Sequence, residues 1–351
     1  MGKDGYLKVE DLHVHFESRK QLFRPQRPPV KAVNGISFAI QKGKTFGLVG
    51  ESGSGKSTVA RTILRLIDAK DGQIIVGDKD VIGLDPAGVK DYRKQVQVVF
   101  QDPYSSLNPS HIVGEIVGEL ITQHRGIKAG AERDQIVGDL LEQVGLGRHF
   151  LERFPYELSG GQRQRVAIAR ALSVEPEMII CDEATSALDV SIQSQVINLL
   201  EEIQERTGVA YLFIAHDLAV VRHISHDIGV LYLGYLVESG PSDRVYSETA
   251  HPYTAMLLAA EPIPDPERQK KRAEVRRIYH IDAEPPSPAN LPKGCPFTNR
   301  CALVMDKCHD EMPGVTPVQG GGTVRCHLHT SGPKLNGASV IPLLLEATEK
   351  G

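Results

Sequence analysis

A glycine-rich segment between an apolar run and a helical pattern places the strongest limit on the fold of this chain of 351 residues. The segment Gly50-Glu51-Ser52-Gly53-Ser54-Gly55-Lys56-Ser57 matches the pattern G-x-x-x-x-G-K-[ST]. The strand-like run Thr45–Val49 precedes it, and apolar residues at helical spacing follow it as far as Ile67. Glycines permit a tight turn with inward N–H groups, and a helix N-terminus attracts anions, so this unit predicts a phosphate cradle.

The residue types within this loop predict how it binds a nucleoside triphosphate and its metal ion. We expect Lys56 to reach the β- and γ-phosphates, Ser57 to place its hydroxyl on Mg²⁺, and Thr58 to add an α-phosphate contact. A glycine-rich turn with a chance lysine is the alternative, and the strand-loop-helix context argues against it. The residues predicted to bind ATP here are Gly50, Glu51, Ser52, Gly53, Ser54, Gly55, Lys56, Ser57 and Thr58.

Two carboxylates follow the continuous apolar run 178–181. Such a run is typical of a strand buried on both faces, and it carries Asp182 and Glu183 to the carboxyl end of the sheet, beside the phosphate loop. Asp182 is expected to hold Mg²⁺ through water, and Glu183 to orient the attacking water or accept its proton. A solvated acidic turn is the alternative, and the phosphate loop makes it the weaker one.

Two further polar residues end apolar runs. Gln101 follows Val98-Val99-Phe100, and His216 follows Leu212-Phe213-Ile214-Ala215. If these strands flank the central one, both residues lie near the γ-phosphate. Gln101 is then predicted to contact Mg²⁺ or the water, and His216 to donate to the γ-phosphate. The alternative for each is a simple strand cap.

A second glycine-rich helix start lies downstream. Leu158, Ser159, Gly160, Gly161 and Gln162 precede a helical pattern, and the serine hydroxyl with free N–H groups suits an anion. One chain therefore carries two phosphate-binding helix ends, which are not expected to serve one nucleotide within one subunit.

In this order, the phosphate loop, LSGGQ and the Asp-Glu pair resemble the nucleotide-binding domain of ABC ATPases. The resemblance implies a head-to-tail dimer in which each ATP lies between one subunit's phosphate loop and the other's signature. It places Gln101 on the Q-loop, His216 on the switch histidine, and Ser186, Ala187, Leu188 and Asp189 on the D-loop. It also matches Phe16 to the aromatic that stacks on adenine, for which a strand-end core residue is the alternative.

The alternation of strand and helix patterns predicts an α/β P-loop fold with a mixed sheet core and an inserted helical block. We predict an ATPase domain over residues 1–262, with a helical subdomain at about 103–172, and a small cysteine-rich C-terminal module over 263–351. The polar stretch 17–29 is predicted to be a loop insertion. The sequence has no apolar run long enough to span a bilayer and no leader pattern, so a cytoplasmic location at the membrane surface is expected.

Four of the five cysteines crowd into the tail. Cys295, Cys301, Cys308 and Cys326 form the pattern C-x5-C-x6-C-x17-C. Four thiolates can hold Zn²⁺ or an iron–sulfur cluster, and spacing alone leaves zinc, a cluster and unligated thiols open. The resemblance to importer ATPases with such a tail implies a [4Fe-4S] cluster.

Other segments resemble the oligopeptide/dipeptide importer group, which includes nickel and glutathione importers. They are 100–109, 154–157, 251–254 and 285–288. The resemblance implies an ATPase that acts with a sister ATPase, two permease subunits and an extracytoplasmic binding protein, with nickel or glutathione as the alternative cargo. A soluble ABC ATPase of repair or translation is a further alternative. Repair types carry a long coiled coil for which the interval from Gly50 to Leu158 has no room, and translation types carry two ATPase cassettes where this chain has one. A net charge of −4 gives no global attraction to nucleic acid.

Overall fold

The computed structural model describes residues 5–17, 28–186, 188–261, 266–278 and 285–350. Its strands are β1 Leu7–Phe16, β2 Val30–Ile40, β3 Thr45–Val49, β4 Asp71–Val76, β5 Lys79–Asp80, β6 Val96–Val99, β7 Met178–Asp182, β8 Ala210–Ala215, β9 Asp227–Tyr232, β10 Tyr235–Pro241, β11 Thr316–Pro317 and β12 Thr323–Val324. The predicted strands at 6–16, 33–40, 45–49, 72–76, 96–100, 178–181 and 211–215 are confirmed to within a few residues.

The helices of the described residues are α1 Lys56–Ile63, α2 Pro86–Gln95, α3 Pro103–Ser106, α4 Val113–Arg125, α5 Ala131–Gln143, α6 Gly160–Leu172, α7 Val190–Thr207, α8 Leu218–Ile224, α9 Ser242–Ser247, α10 Pro252–Ala260, α11 Pro266–Arg277, α12 Lys307–Asp310 and α13 Ile341–Lys350. Short 3-10 turns occur at Arg148–Glu152, Pro155–Glu157, Thr298–Arg300 and His327–His329. None of these helices is both long enough and apolar enough to cross a membrane.

The larger sheet positions the site. Its eight strands run in the order β11-β12-β10-β9-β3-β8-β7-β6, and β9, β3, β8, β7 and β6 pair in parallel. Every residue of β3, β7 and β8 is buried, as expected for parallel strands covered on both faces. Because parallel strands end at the same edge, the residues that follow β3, β6, β7 and β8 meet there.

A second, antiparallel sheet has the order β2-β1-β4-β5. Its strand β1 ends at Phe16, which pairs with Val30 of β2. Most of the predicted loop insertion between them, residues 18–27, lies outside the described residues.

The inserted helical block consists mainly of α4, α5 and α6. Buried Val113, Val117 and Ile121 recur at helical spacing on α4. The helix ends at Gly126, which has φ +74° in the left-handed region that glycine tolerates. The predicted interruption near 126–130 is therefore confirmed.

The C-terminal residues join the same sheet and core. β12 pairs with β10, and Phe297 and Leu328 belong to the buried cluster that contains Tyr232 and Tyr253. A separate, small cysteine-rich module is therefore not supported, since residues 285–350 extend the ATPase core. The boundary that the sequence placed at 262 lies outside the described residues.

Candidate nucleotide-binding site

The predicted phosphate loop joins β3 to α1 and opens on a pocket of about 290 Å³. Loop residues that line the pocket are Ser52, Gly53, Gly55, Lys56, Ser57 and Thr58. Gln101, after β6, and Glu183, after β7, line it as well. The structure therefore brings three separately predicted segments to one cavity.

Gly55 shows why this loop needs glycine. Its φ is +109°, and an added Cβ would lie 2.4 Å from the carbonyl oxygen of Ala32. Both the backbone conformation and the lack of space exclude a side chain at this position. The helix that begins at Lys56 consequently starts directly at the pocket.

Lys56 is buried and satisfied by the loop itself. Its Nζ donates to the carbonyl oxygens of Gly50, at 2.7 Å, and Glu51, at 3.0 Å, and lies 3.7 Å from Oε1 of Glu183. Burial lowers the pKa of Lys56, and the nearby Glu183 and Asp182 carboxylates oppose this shift. The negative charge of a bound phosphate would favour the cationic form of Lys56, which burial disfavours.

Ser57 lines the pocket and contacts Asp182, the last residue of β7. The Ser57 hydroxyl donates to Oδ1 of Asp182 at 3.0 Å. Burial raises the pKa of Asp182, against the Ser57 hydrogen bond, which lowers it. A buried carboxylate beside a hydroxyl is a donor set that Mg²⁺ accepts together with water and phosphate oxygens.

Glu183 adopts a backbone conformation that is uncommon for its type. Its φ is +50°, and its N–H donates to the carbonyl oxygen of Ile214 in β8 at 3.0 Å. A non-glycine residue held there costs about 1–3 kcal/mol, which the surrounding structure has to supply. In this conformation Glu183 lines the pocket, with its Oε1 atom 3.7 Å from Lys56 Nζ.

Two other predicted residues lie less directly at the pocket. His216 follows β8 and is exposed, and it is not among the residues that line the cavity. Phe16 is 41% exposed at the end of β1 and is not a lining residue either, although its strand partner Val30 is. The exposure of Phe16 does not fit the alternative of a core aromatic.

The signature segment lies away from this pocket. Ser159 caps α6, accepting from the N–H of Gln162 at 3.3 Å, while Gln162 Oε1 accepts from the Ser159 N–H at 2.9 Å. Leu158 is buried beneath it, and none of the five signature residues lines the phosphate-loop pocket. A Cβ at Gly161 would lie 2.6 Å from Cγ2 of Ile192 in α7, so glycine permits close contact of the two helices, and Gly160 faces Leu188.

The predicted D-loop lies between β7 and α7. Ser186 Oγ donates to the Glu183 carbonyl oxygen at 2.9 Å. The N–H of Leu188 donates to the Thr185 carbonyl oxygen at 3.2 Å. Asp189 caps α7, accepting from the Ile192 N–H at 3.0 Å, and this hydrogen bond lowers the pKa of Asp189. Ala187 lies outside the described residues.

The four tail cysteines are close enough for their charges to interact. Burial raises the pKa of Cys295 to about 11 and that of Cys301 to about 12. Burial also raises the pKa of Cys326 well above its ordinary value, with smaller contributions from Cys301, Cys295 and Cys308. In the part of the chain that the structure describes, however, no three or more His, Cys, Asp or Glu side chains are arranged to hold a metal ion. The thiol chemistry fits a metal or cluster, and the side-chain geometry does not.

Sequence reasoning missed several residues at the site. Glu51 Oε1 and Oε2 pair with Arg300, and the Glu51 N–H donates to the Tyr253 hydroxyl at 2.9 Å. Pro288 lines the pocket from the C-terminal segment. Local sequence patterns do not indicate contacts between residues so far apart in the sequence. The one signal near Arg300 was the next residue, Cys301, which belongs to the group of four tail cysteines.

Comparison with known proteins identifies the class. Residues 33–186 match the ABC transporter family, and residues 237–308 match the oligopeptide/dipeptide transporter C-terminal region. The chain is 45% identical over 315 residues to the oligopeptide transport ATP-binding protein OppF of Escherichia coli, covering 89% of this chain and 93% of that protein. It is 45% identical over 326 residues to AppF of Bacillus subtilis, another oligopeptide transport ATP-binding protein, covering 92% of this chain and 97% of that protein.

Among solved structures, the dimeric post-hydrolysis state of the ATP-binding cassette MJ0796, bound to ADP and Pi, matches with a TM-score of 0.60 and 28% identity. The match covers 67% of this chain and 98% of that chain. The chain therefore belongs to the family of ABC transporter ATP-binding proteins and is an ABC-type ATPase with a P-loop α/β fold. It carries, in addition, the C-terminal region of oligopeptide/dipeptide transporters.

Proposed function

We propose that this chain hydrolyses ATP to power an importer of oligopeptides or dipeptides. The observation that carries the ATPase role is the convergence of Lys56, Ser57 and Glu183 at one pocket, with Asp182 hydrogen-bonded to Ser57. The C-terminal region and relatives that are named oligopeptide transport ATP-binding proteins support the peptide cargo. These relatives do not favour the alternative cargoes, nickel and glutathione.

Each pocket residue has a proposed task. Lys56 exchanges the loop carbonyls for β- and γ-phosphate oxygens, Ser57 and Asp182 hold Mg²⁺ with water, and Glu183 orients the attacking water. A bound Mg²⁺ would neutralise charge on the phosphates. Gln101 contacts the metal or the water, His216 reaches the γ-phosphate when the site closes, and Phe16 stacks on adenine beside Val30.

The signature segment is proposed to serve a second nucleotide, held mainly by a partner subunit. It lies outside the phosphate-loop pocket, and its serine cap and helix N-terminus remain suited to an anion. A dimer then contains composite sites, with the D-loop at 186–189 between them. A sister ATPase is the proposed partner, and a second copy of this chain is the alternative.

The proposed permease contact lies on the helical block side. Tyr104 is 65% exposed and Tyr156 is 69% exposed. A groove of about 390 Å³ is lined by residues of α2, β6 and α4, with Phe100 and Leu120 among the lining residues. Arg163 of α6 stacks over Tyr104 at 3.6 Å, so movement of this surface reaches the signature helix directly. Two permease subunits and an extracytoplasmic binding protein complete the proposed complex, at the cytoplasmic face of the membrane.

Peptide uptake by the purified complex in vesicles tests the function. We expect ATP-dependent uptake, and we expect Lys56→Ala to abolish it together with ATP binding, because charge-assisted hydrogen bonds to phosphate are lost. Lys42→Ala, which removes an exposed lysine paired with Glu177, is the matched control. Uptake of nickel or glutathione without peptide would contradict the cargo, and ATP hydrolysis by a chain that binds no permease would contradict the importer.

We also propose that Cys295, Cys301, Cys308 and Cys326 hold a [4Fe-4S] cluster, or Zn²⁺ as the alternative. The backbone hydrogen bond from the Cys295 N–H to the Cys308 carbonyl oxygen, at 2.8 Å, supports this proposal, which requires the four side chains to rearrange. Iron, sulfide and zinc analysis of the anaerobically purified protein tests it. A protein with neither metal and four alkylatable thiols contradicts it.

The division of the chain stays a proposal as well. We propose an ATPase segment over 1–262, with helices inserted at about 103–172, and a C-terminal segment over 263–351 packed on it. The two family matches, at 33–186 and 237–308, support two segments. Limited proteolysis that cuts first near 262 would support this boundary, and cleavage elsewhere would contradict it.

A further inference from the structure

Arg300, in the C-terminal segment, forms an ion pair with Glu51 of the phosphate loop. Glu51, the second residue of the loop, accepts hydrogen bonds from Arg300 Nη1 at 2.6 Å and from Nη2 at 2.8 Å. This is the bidentate arrangement in which an arginine–carboxylate pair is strongest and most directional. The Arg300 side chain is 5% exposed and that of Glu51 is 35% exposed, so the pair is largely shielded from solvent.

Arg300 is fixed by packing of its own segment on the ATPase core. Three residues before it, the ring of Phe297 is 1% exposed. This ring lies edge-on to the rings of Tyr232 and Tyr253, with centroids 5.3 Å apart in both cases. Tyr253 is the second residue of α10 and Tyr232 is the last residue of β9, so the arginine is positioned by rigid elements.

The Glu51 backbone is tied to the same cluster and to the loop. Its N–H donates to the Tyr253 hydroxyl at 2.9 Å, and its carbonyl oxygen accepts from Lys56 Nζ at 3.0 Å and from the Ser54 N–H at 3.2 Å. Nucleotide binding requires Lys56 to leave these carbonyls for phosphate oxygens. The loop then keeps its outer attachments, of which the Arg300 pair is the only charged one among the contacts described for Glu51.

The charge of Glu51 also bears on ATP binding. A carboxylate in the second position of the loop repels a triphosphate bound by the following residues, and the repulsion is strong where solvent screens poorly. The Arg300 guanidinium cancels this charge while it fixes the side chain. Loss of Arg300 alone therefore both loosens the loop and exposes the phosphates to a negative charge.

We propose that Arg300 is a positioning residue for ATP binding: it holds Glu51 and neutralises its carboxylate, so that the phosphate loop keeps the shape that receives the triphosphate. The proposal rests on the phosphate-loop site and adds that the C-terminal segment sets the affinity of that site. Pro288 is a second residue of the C-terminal segment that lies at the site. It lines the pocket, and its carbonyl oxygen accepts a hydrogen bond from the Lys31 N–H at 3.1 Å.

Equilibrium binding of Mg-ATP to the full chain tests this role. We expect Arg300→Ala to weaken binding about ten-fold, equivalent to about 1.4 kcal/mol. In the assembled complex, KM should rise by a similar factor, while kcat at saturating ATP stays within about two-fold of wild type. Arg300→Lys keeps the charge without the fork, so its affinity should be intermediate.

A second substitution separates this role from general damage to the fold. Adding Glu51→Gln to Arg300→Ala removes the unpaired carboxylate, so the double variant should recover most of the lost affinity. Arg325→Ala is the matched control, because this partly buried arginine joins the C-terminal segment to the core at the Gly35 carbonyl oxygen, and no contact described for its side chain involves the phosphate loop. Its ATP affinity should equal that of wild type.

The outcomes separate this proposal from the site on which it rests. If Lys56→Ala still binds ATP normally, the phosphate-loop site itself is wrong. If Lys56→Ala loses ATP while Arg300→Ala binds like wild type, or while the double variant binds no better than Arg300→Ala, the role of Arg300 is overturned. Should Arg300→Ala fail to fold, wild-type affinity in Arg300→Lys overturns it equally.

Discussion

Burial and metal binding act on Asp182 in opposite directions. The pKa of its carboxyl group is raised in the folded chain, mainly by burial. A carboxyl group with a raised folded-state pKa stabilises the fold below its unfolded pKa, and this contribution is lost as pH rises through the folded pKa. At neutral pH without metal, the charged Asp182 is therefore a cost in free energy, which Mg²⁺ would offset.

Asp182→Asn tests this balance. Without Mg²⁺ at neutral pH, the variant should melt at a higher temperature than wild type, since the amide oxygen can still accept from Ser57 and no charge is buried. Mg-dependent ATP hydrolysis should fall at least about 100-fold. Thermal melts with and without Mg-ATP provide the measurement. A lower melting temperature of the metal-free variant at neutral pH would show that the Asp182 charge stabilises the fold.

Helix α10 carries Tyr253 to the phosphate loop. His251 caps this helix, its Nδ1 accepting from the Tyr253 N–H at 3.0 Å. Beside it, the buried Glu238 carboxylate accepts from the N–H groups of Ala250 and His251 and pairs with Arg244. Burial lowers the pKa of His251 to about 3, and the charge of His329 adds to the shift.

This cap predicts a pH dependence of stability. A histidine with a depressed folded-state pKa contributes stability above its unfolded pKa, near 6.5, and loses it as pH falls toward about 3. The free energy of unfolding should fall by up to about 1.4 kcal/mol per pH unit in this window through His251 alone. His251→Asn keeps a capping oxygen and removes the titration, so urea unfolding should give a flatter profile for the variant. Parallel profiles of wild type and variant would contradict this origin.

Regular elements followed closely from local sequence patterns. Strand and helix periods predicted the core strands, the phosphate loop and the helices on either side of Gly126. The helix predicted from Lys56 to Ile67 ends earlier, at Ile63, because Arg65 takes a positive φ of +54° that a helix cannot contain. The two-residue strands β11 and β12 are too short to show alternation, so sequence could not show that the tail joins the sheet.

Across the whole molecule, the sequence predicted the residues of the site but not the tertiary contacts that hold them. The motif spacings placed Lys56 and Glu183 at one pocket, because parallel strands end at a common edge. The ties of Glu51 to Arg300 and of Tyr104 to Arg163 depend on tertiary packing, which no local period encodes. Through these contacts, the C-terminal segment is joined to the phosphate loop and the signature helix is joined to the surface that carries Tyr104.

In the proposed mechanism, Glu183 activates water for ATP that is bound at this chain's phosphate loop, between two subunits. The direct measurement is nucleotide retention and turnover in the assembled complex carrying Glu183→Gln, with the exposed Glu177→Gln as control. We expect turnover at this site to fall about 10²–10⁴-fold, and unhydrolysed ATP to stay bound after gel filtration in a closed ATPase dimer. Undiminished turnover with no retained ATP would contradict the account.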